Sequence, residues 1–186
     1  MSIRIDQPGS AEHRDAVAEA HGELPDWEAL YDSLGERVFR FLYRMTRSAE
    51  LAEDLTHDTF VRVQQRRAQY RGRGAVRSWV FQIAANLVRD HMRRSKLRLV
   101  HDAASDPVMR RREEPARSAL RRVQLQRALD ILPDTHRVVV LLHDVDGFNH
   151  REIAEMLEIA EGTSKARLSR ARSQLRDALG TKHLEA

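Results

Sequence analysis

Asn149-His-Arg-Glu-Ile-Ala-Glu-Met-Leu157, then Glu158-Ile-Ala-Glu-Gly162, then Thr163-Ser-Lys-Ala-Arg-Leu-Ser-Arg-Ala-Arg172 is the stretch that decides the fold. Asn149 and Glu152 stand at capping-box spacing, so a helix starts at His150. Ile153, Ala154 and Leu157 then share one face of it. After a connection of a few residues, Leu168, Ala171, Leu175 and Ala178/Leu179 form a second apolar stripe, on a helix expected over Thr163–Leu179. Its other sides show Lys165, Arg167, Arg170, Arg172 and Arg176. Two helices, a short turn, a small Ala154 where they cross and a basic second helix make a helix-turn-helix. Such a helix fits a major groove, where side chains read base edges while Arg and Lys neutralise phosphates. The generic alternative is a helical hairpin with a solvated basic face.

Working toward the N-terminus, Pro133 stops a helical pattern at Ala119–Leu132, and the pattern resumes over Asp134–Asp144 before the turn Gly147-Phe148-Asn149. Between about Leu97 and Ala116 the apolar periodicity fades, Pro107 and Pro115 flank arginines and glutamates, and a linker is expected. Before it, a helix from about Ala75 to Lys96 buries Val76, Val80, Ile83, Ala84, Leu87 and Met92. The glycines of Tyr70-Arg-Gly-Arg-Gly74 form a loop. Ser48 caps a helix running to about residue 68, and Pro25-Asp26 precede a stripe of Trp27, Leu30, Tyr31, Leu34, Val38, Phe41, Leu42 and Met45. The expected architecture is all-α: two small helical domains, 25–96 and 117–180, joined by a flexible linker at 97–116, with a mobile N-terminal tail at 1–24 and a tail at 181–186.

Charge sharpens this. The net formal charge of +4 is the sum of alternating blocks: −7 over residues 1–61, +10 over 62–98, −3 over 99–162 and +4 over 163–186. One basic run reads as a solvated helix face; two, each on its own motif, point to a polyanion such as nucleic acid. With no cysteine there is no disulfide framework and no thiolate metal site. No apolar run is long enough to cross a bilayer, and no signal peptide is expected at the N-terminus, so the expected location is cytoplasmic. There is no H-E-x-x-H, phosphate-binding glycine loop or nucleophile elbow, so no enzyme and no cofactor are expected.

The C-terminal words Leu132-Pro133, Arg137-Val-Val139, Gly147, Glu152-Ile-Ala154, Glu161-Gly-Thr163, Arg167-Leu168 and Arg170-Ala-Arg172 resemble the DNA-binding region 4 of bacterial RNA polymerase sigma factors. Ala52-Glu-Asp-Leu-Thr-His-Asp-Thr-Phe60 resembles the sigma helix that binds core polymerase. Ser78-Trp-Val-Phe-Gln-Ile-Ala84, Asn86-Leu87, Asp90 and Arg93-Arg94 resemble the adjoining promoter-melting helix. Both halves in this order, without the extra domains of housekeeping sigma factors, resemble the extracytoplasmic-function group.

That resemblance implies a specificity subunit that binds core RNA polymerase and promoter DNA, with an anti-sigma factor as a further partner. It implies no small-molecule substrate and a monomer when free, held at the membrane where its anti-sigma factor is anchored there. It assigns Asp54, His57 and Asp58 to core polymerase. It assigns Arg71, Arg73, Arg77, Trp79, Asn86, Arg89, Arg93 and Arg94 to the minus-ten element, and Thr163, Lys165, Ala166, Arg167, Ser169, Arg170 and Arg172 to the minus-thirty-five element. Without it, Asp54, His57 and Asp58 read as a solvated acidic face or a weak metal pair, and Trp79 reads as core. Glu158 departs from the family's glycine at the turn, Ala160 from its capping serine, and Ser164 and Ala166 from its usual Val and Ser. Left-handed geometry at Glu158 costs about 1–2 kcal/mol. The competing function is a stand-alone helix-turn-helix regulator that dimerises through residues 1–96. In the free protein the linker is expected to be mobile, or the two domains to fold back with their DNA faces partly hidden.

Overall fold

The Asp26 carboxylate accepts the Ala29 amide at 2.8 Å and starts α1, Trp27–Thr46. The computed structural model describes residues 24–70, 75–98 and 116–180, and within them the side chains outside 95–98 and 116–122. Ser48 caps α2, Ala49–Gln65, by accepting from the Leu51 amide. A 3-10 turn, Arg67–Gln69, leads on, and α3 spans Val76–Arg98. The second group is α4, Ala116–Ile131; α5, Asp134–Val140; α6, His150–Leu157; and α7, Glu161–Gly180. The described residues contain no strand. The expected loop residues 71–74, most of the linker and both tails lie outside the described residues, Leu24 excepted: its side chain is buried, and its carbonyl accepts from Arg67.

In the first group α2 packs on α1 and α3 on both. Leu34, Val38, Phe41, Leu42, Ala52, Phe60, Val80, Phe81 and Ala84 fill the space between them. Here the stripe read for α1 is too wide. Trp27 and Tyr31 are 38% and 47% exposed and lean on the buried Phe60 ring from the solvent side. Amphipathic periodicity gives the face but not its edges, and these two aromatics sit on the edge. Met92, also expected inside, is half-buried near the end of α3.

In the second group the segment expected as one helix over Asp134–Asp144 changes pitch. α5 gives way to a π-helical turn, Leu141–Val145, closed by the Asp146 amide donating to Leu141 O. A π-turn admits one more residue per turn and redirects the chain that follows. That redirection aims Asp146 and Phe148 at the first group of helices. Gly147, between them, has φ 76, where a side chain is disfavoured.

The two groups touch. α6 packs on α3 and α5 on α1. Phe148, 1% exposed, meets the Phe81 ring at 5.1 Å, and a single cluster of buried residues runs through both groups. Of the two expected arrangements, the described residues take the folded-back one.

Candidate polymerase and nucleic-acid surfaces

Asp54, His57 and Asp58 lie on the outer side of α2, and all three are exposed. The inner side of the same helix is committed to the core through Ala52, Leu55, Thr56, Thr59 and Phe60. None of the three has a hydrogen bond or ion pair among the described residues, which contain no cluster of three or more metal-ligand residues. Two uncommitted carboxylates one turn apart form a negative face suited to a basic partner.

On α3, Asn86, Arg89 and Arg93 recur at three- and four-residue steps, so they share one side of the helix. Asn86 Oδ1 accepts from Arg89 Nη1 at 3.4 Å, and Arg93 pairs with Asp90 at 3.2 Å. Arg94 is exposed. Trp79 is half-buried and packs on Tyr70 at 5.1 Å. Arg71 and Arg73 fall outside the described residues. Arg77 lies at the other end of the surface, with its guanidinium 4.3 Å from the Phe148 ring centroid.

The helix-turn-helix follows the sequence closely. Asn149 and Glu152 make both bonds of the capping box, at 3.0 and 2.8 Å. Glu158 ends α6 in the left-handed region, φ 55 and ψ 48, its amide donating to Ala154 O. Ala154, expected inside, is half-buried; Leu168 and Ala171 anchor α7 in the core, Leu175 is half-buried and Leu179 exposed. Lys165, Ala166, Ser169, Arg170 and Arg172 face solvent, while Thr163 and Arg167 are half-buried.

Two of these positions carry structure that periodicity does not reveal. Ser164 is fully buried, its hydroxyl 3.0 Å from His150 Nδ1, and the His150 ring lies tilted against His143, centroids 4.7 Å apart. Desolvation, then the neighbouring His143 and Lys165, hold the His150 pKa below its ordinary value. Arg172 is tied back to Asp144 on the π-turn through Nε and Nη2. That pairing, ahead of the His143 contact, lowers the Asp144 pKa. Arg172 therefore anchors α7 to the π-turn as well as standing at its surface.

Between the groups runs a cleft of about 650 Å³, lined by Arg62, Arg66, Asn86, Arg89, Arg93 and Arg167 together with Glu158. Arg62 sits on α2 and Arg66 caps its C-terminal end, and the sequence reading missed them. The signal was present: both belong to the +10 block of residues 62–98.

Residues 30–98 match the family model for Sigma-70 region 2, and residues 122–175 match that for Sigma-70, region 4. The RNA polymerase sigma factor CarQ of Myxococcus xanthus is 34% identical over 166 residues, spanning 88% of this chain and 95% of CarQ. The ECF RNA polymerase sigma factor SigM of Mycobacterium tuberculosis is 32% identical over 154 residues, 81% of this chain and 77% of SigM. The chain belongs to the extracytoplasmic-function sigma factors.

A third such sigma factor, SigE of Mycolicibacterium smegmatis, is 35% identical over 175 residues; the present chain spans 66% of that longer protein. The sigma-factor fold agrees. The sigma factor RpoE from Bartonella quintana, solved with the anti-sigma factor NepR, superposes with a TM-score of 0.72 at 22% identity, over 83% of this chain and 97% of that one. As a sigma factor, the protein is a transcription initiation subunit that works on core RNA polymerase and promoter DNA. Among the described residues no helix is long and apolar enough to cross a membrane.

Proposed function

We propose that this sigma factor divides its work over three surfaces. The α2 face of Asp54, His57 and Asp58 docks on core polymerase. The surface of Arg77, Trp79, Asn86, Arg89, Arg93 and Arg94, with the loop residues Arg71 and Arg73, takes the minus-ten element. The outer side of α7 takes the minus-thirty-five element through Thr163, Lys165, Ala166, Arg167, Ser169, Arg170 and Arg172. The observation that carries the reading is that α2 leaves two exposed carboxylates without a partner while both basic surfaces lie on other helices.

Each surface suits its task. A base drawn out of the stack costs a few kcal/mol, which stacking and hydrogen bonds offset. Asn86 offers a donor and an acceptor to a base edge, whereas Arg89, Arg93 and Arg94 add affinity without sequence information. Phosphodiester chemistry and its metal belong to the polymerase, so the chain supplies recognition and no reaction of its own. It acts in the cytoplasm, as a monomer when free, and without a small-molecule substrate. An anti-sigma factor holds it inactive, as suggested by the complexes of RpoE with NepR and of CnrH with the cytosolic domain of CnrY.

Reversing Asp54 and Asp58 together to Lys tests the docking face. Affinity for core polymerase in a pull-down should fall at least tenfold with helix content unchanged. Unaltered affinity would move the interface to another face.

A further inference from the structure

We infer that the turn Asp146-Gly147-Phe148 is an intramolecular latch: it plugs a socket on the first domain formed by Arg37, Arg44, Arg77 and Phe81, and so holds the free sigma factor closed with part of its minus-ten surface covered. The geometry of the plug is specific. Phe148 carries no solvent-facing area of consequence, lies against Phe81 at 5.1 Å and takes the Arg77 guanidinium on its face at 4.3 Å. The Asp146 side chain is buried beside it, and its backbone carbonyl accepts from Arg37 Nη2 at 3.4 Å. Arg37, Arg44, Arg77 and Arg40 surround that carboxylate with positive charge, all from the first domain. A buried aromatic anchor beside a desolvated charge, with polar contacts around the rim, is the anatomy of a protein–protein interface rather than of an incidental contact.

The rim is built likewise. Ser78 Oγ donates to Glu152 Oε1 at 3.0 Å, Arg47 pairs with Asp130 at 2.7 Å, and Arg89 Nη1 reaches Leu157 O at 3.4 Å. The consequence rests on the minus-ten reading above. Arg77 cannot lie on Phe148 and hold a DNA phosphate at once, and Arg89 is drawn to the Leu157 carbonyl at the end of α6. The polymerase-docking carboxylates of α2 remain exposed in the same state. Core polymerase therefore meets the closed protein first, and the latch opens afterwards.

The chain has no cysteine, so a single engineered pair reports on closure without background. Arg47→Cys with Asp130→Cys places two thiols across the rim, away from the latch and from every proposed DNA contact. In the free full-length protein, a short reducible bis-thiosulfonate linker should bridge them within the chain, as read by intact mass. Adding Phe148→Ala should slow bridging several-fold. Bridged protein should still bind core polymerase but form open complexes at least tenfold more slowly, with full recovery on reduction. Absence of bridging, or bridging at the same rate with Phe148→Ala, overturns the latch without touching the minus-ten assignment, since neither readout involves DNA. A bridged protein that opens promoters at the unbridged rate overturns the covering of the minus-ten surface.

Discussion

The Arg137 guanidinium donates to the Met45 carbonyl at 3.2 Å, across 92 positions of sequence. The same group donates to the carbonyls of Leu129, Asp130 and Leu132. Those acceptors lie at and just past the end of α4, where Pro133 stops the helix. One cation, 8% exposed, thus caps α4 and stitches it to the end of α1. Arg137→Met keeps most of the volume but removes the guanidinium from the Met45, Asp130 and Leu132 carbonyls, the Leu129 carbonyl keeping the Leu132 amide, and should destabilise the protein by about 2–4 kcal/mol. Urea denaturation followed by circular dichroism checks this; an unchanged midpoint would mean that water replaces the guanidinium without loss.

Glu158 supplies the opposite case, a residue the local backbone disfavours. Its φ of 55 lies where glycine is at ease and a Cβ is strained. Glu158→Gly should raise stability by up to about 1 kcal/mol, after the larger entropy of the unfolded glycine is subtracted. Thermal unfolding should shift upward by a few degrees. A downward shift would show that the side chain is held by the arginines of the cleft it lines.

Asp146 makes closure depend on pH. Burial raises its pKa to about 6 against the opposing pull of Arg37, Arg44, Arg77 and Arg40. A carboxyl whose pKa is raised in the folded state favours that state below its ordinary pKa, and the benefit is lost as pH rises through the folded value. The ionised carboxylate therefore works against the closed protein above about pH 6. Asp146→Asn should stabilise it at pH 8 by up to roughly 3 kcal/mol and have little effect at pH 4. Denaturation midpoints at the two pH values check the sign; a loss of stability at pH 8 would mean that ion pairing with the arginines outweighs burial.

Asn86→Ala should slow open-complex formation at least tenfold while changing initial promoter binding little, because its contact exists only after strand separation. On a pre-melted bubble the defect should persist with the matched base and vanish when that base is changed. An equal loss on every template would make Asn86 a structural partner of Arg89.

Much of the fold was legible because helices advertise themselves through period. Leu30, Leu34, Val38 and Leu42 on α1 and Leu168 and Ala171 on α7 are buried as their spacing requires. The caps at Ser48 and Asn149 were readable because capping is a local rule. How the two domains meet was not, since no period says which face of one helix group meets another. Phe148 read as a turn residue because it follows Gly147, and the π-turn that aims it leaves no mark in the pattern. Ser164 read only as a departure from the family's Val; its burial against His150, fourteen positions earlier, left no mark in the pattern. Arg62 and Arg66 were visible only as charge, because an arginine on a helix does not declare which cleft it lines.

The most direct test of the central claim is gel filtration of the chain alone and with core RNA polymerase, followed by run-off transcription on a promoter with matched minus-ten and minus-thirty-five elements. The account predicts a monomer that co-elutes with core and a transcript that appears only when both are present. A dimer that elutes apart from core and binds the promoter without it would contradict the account.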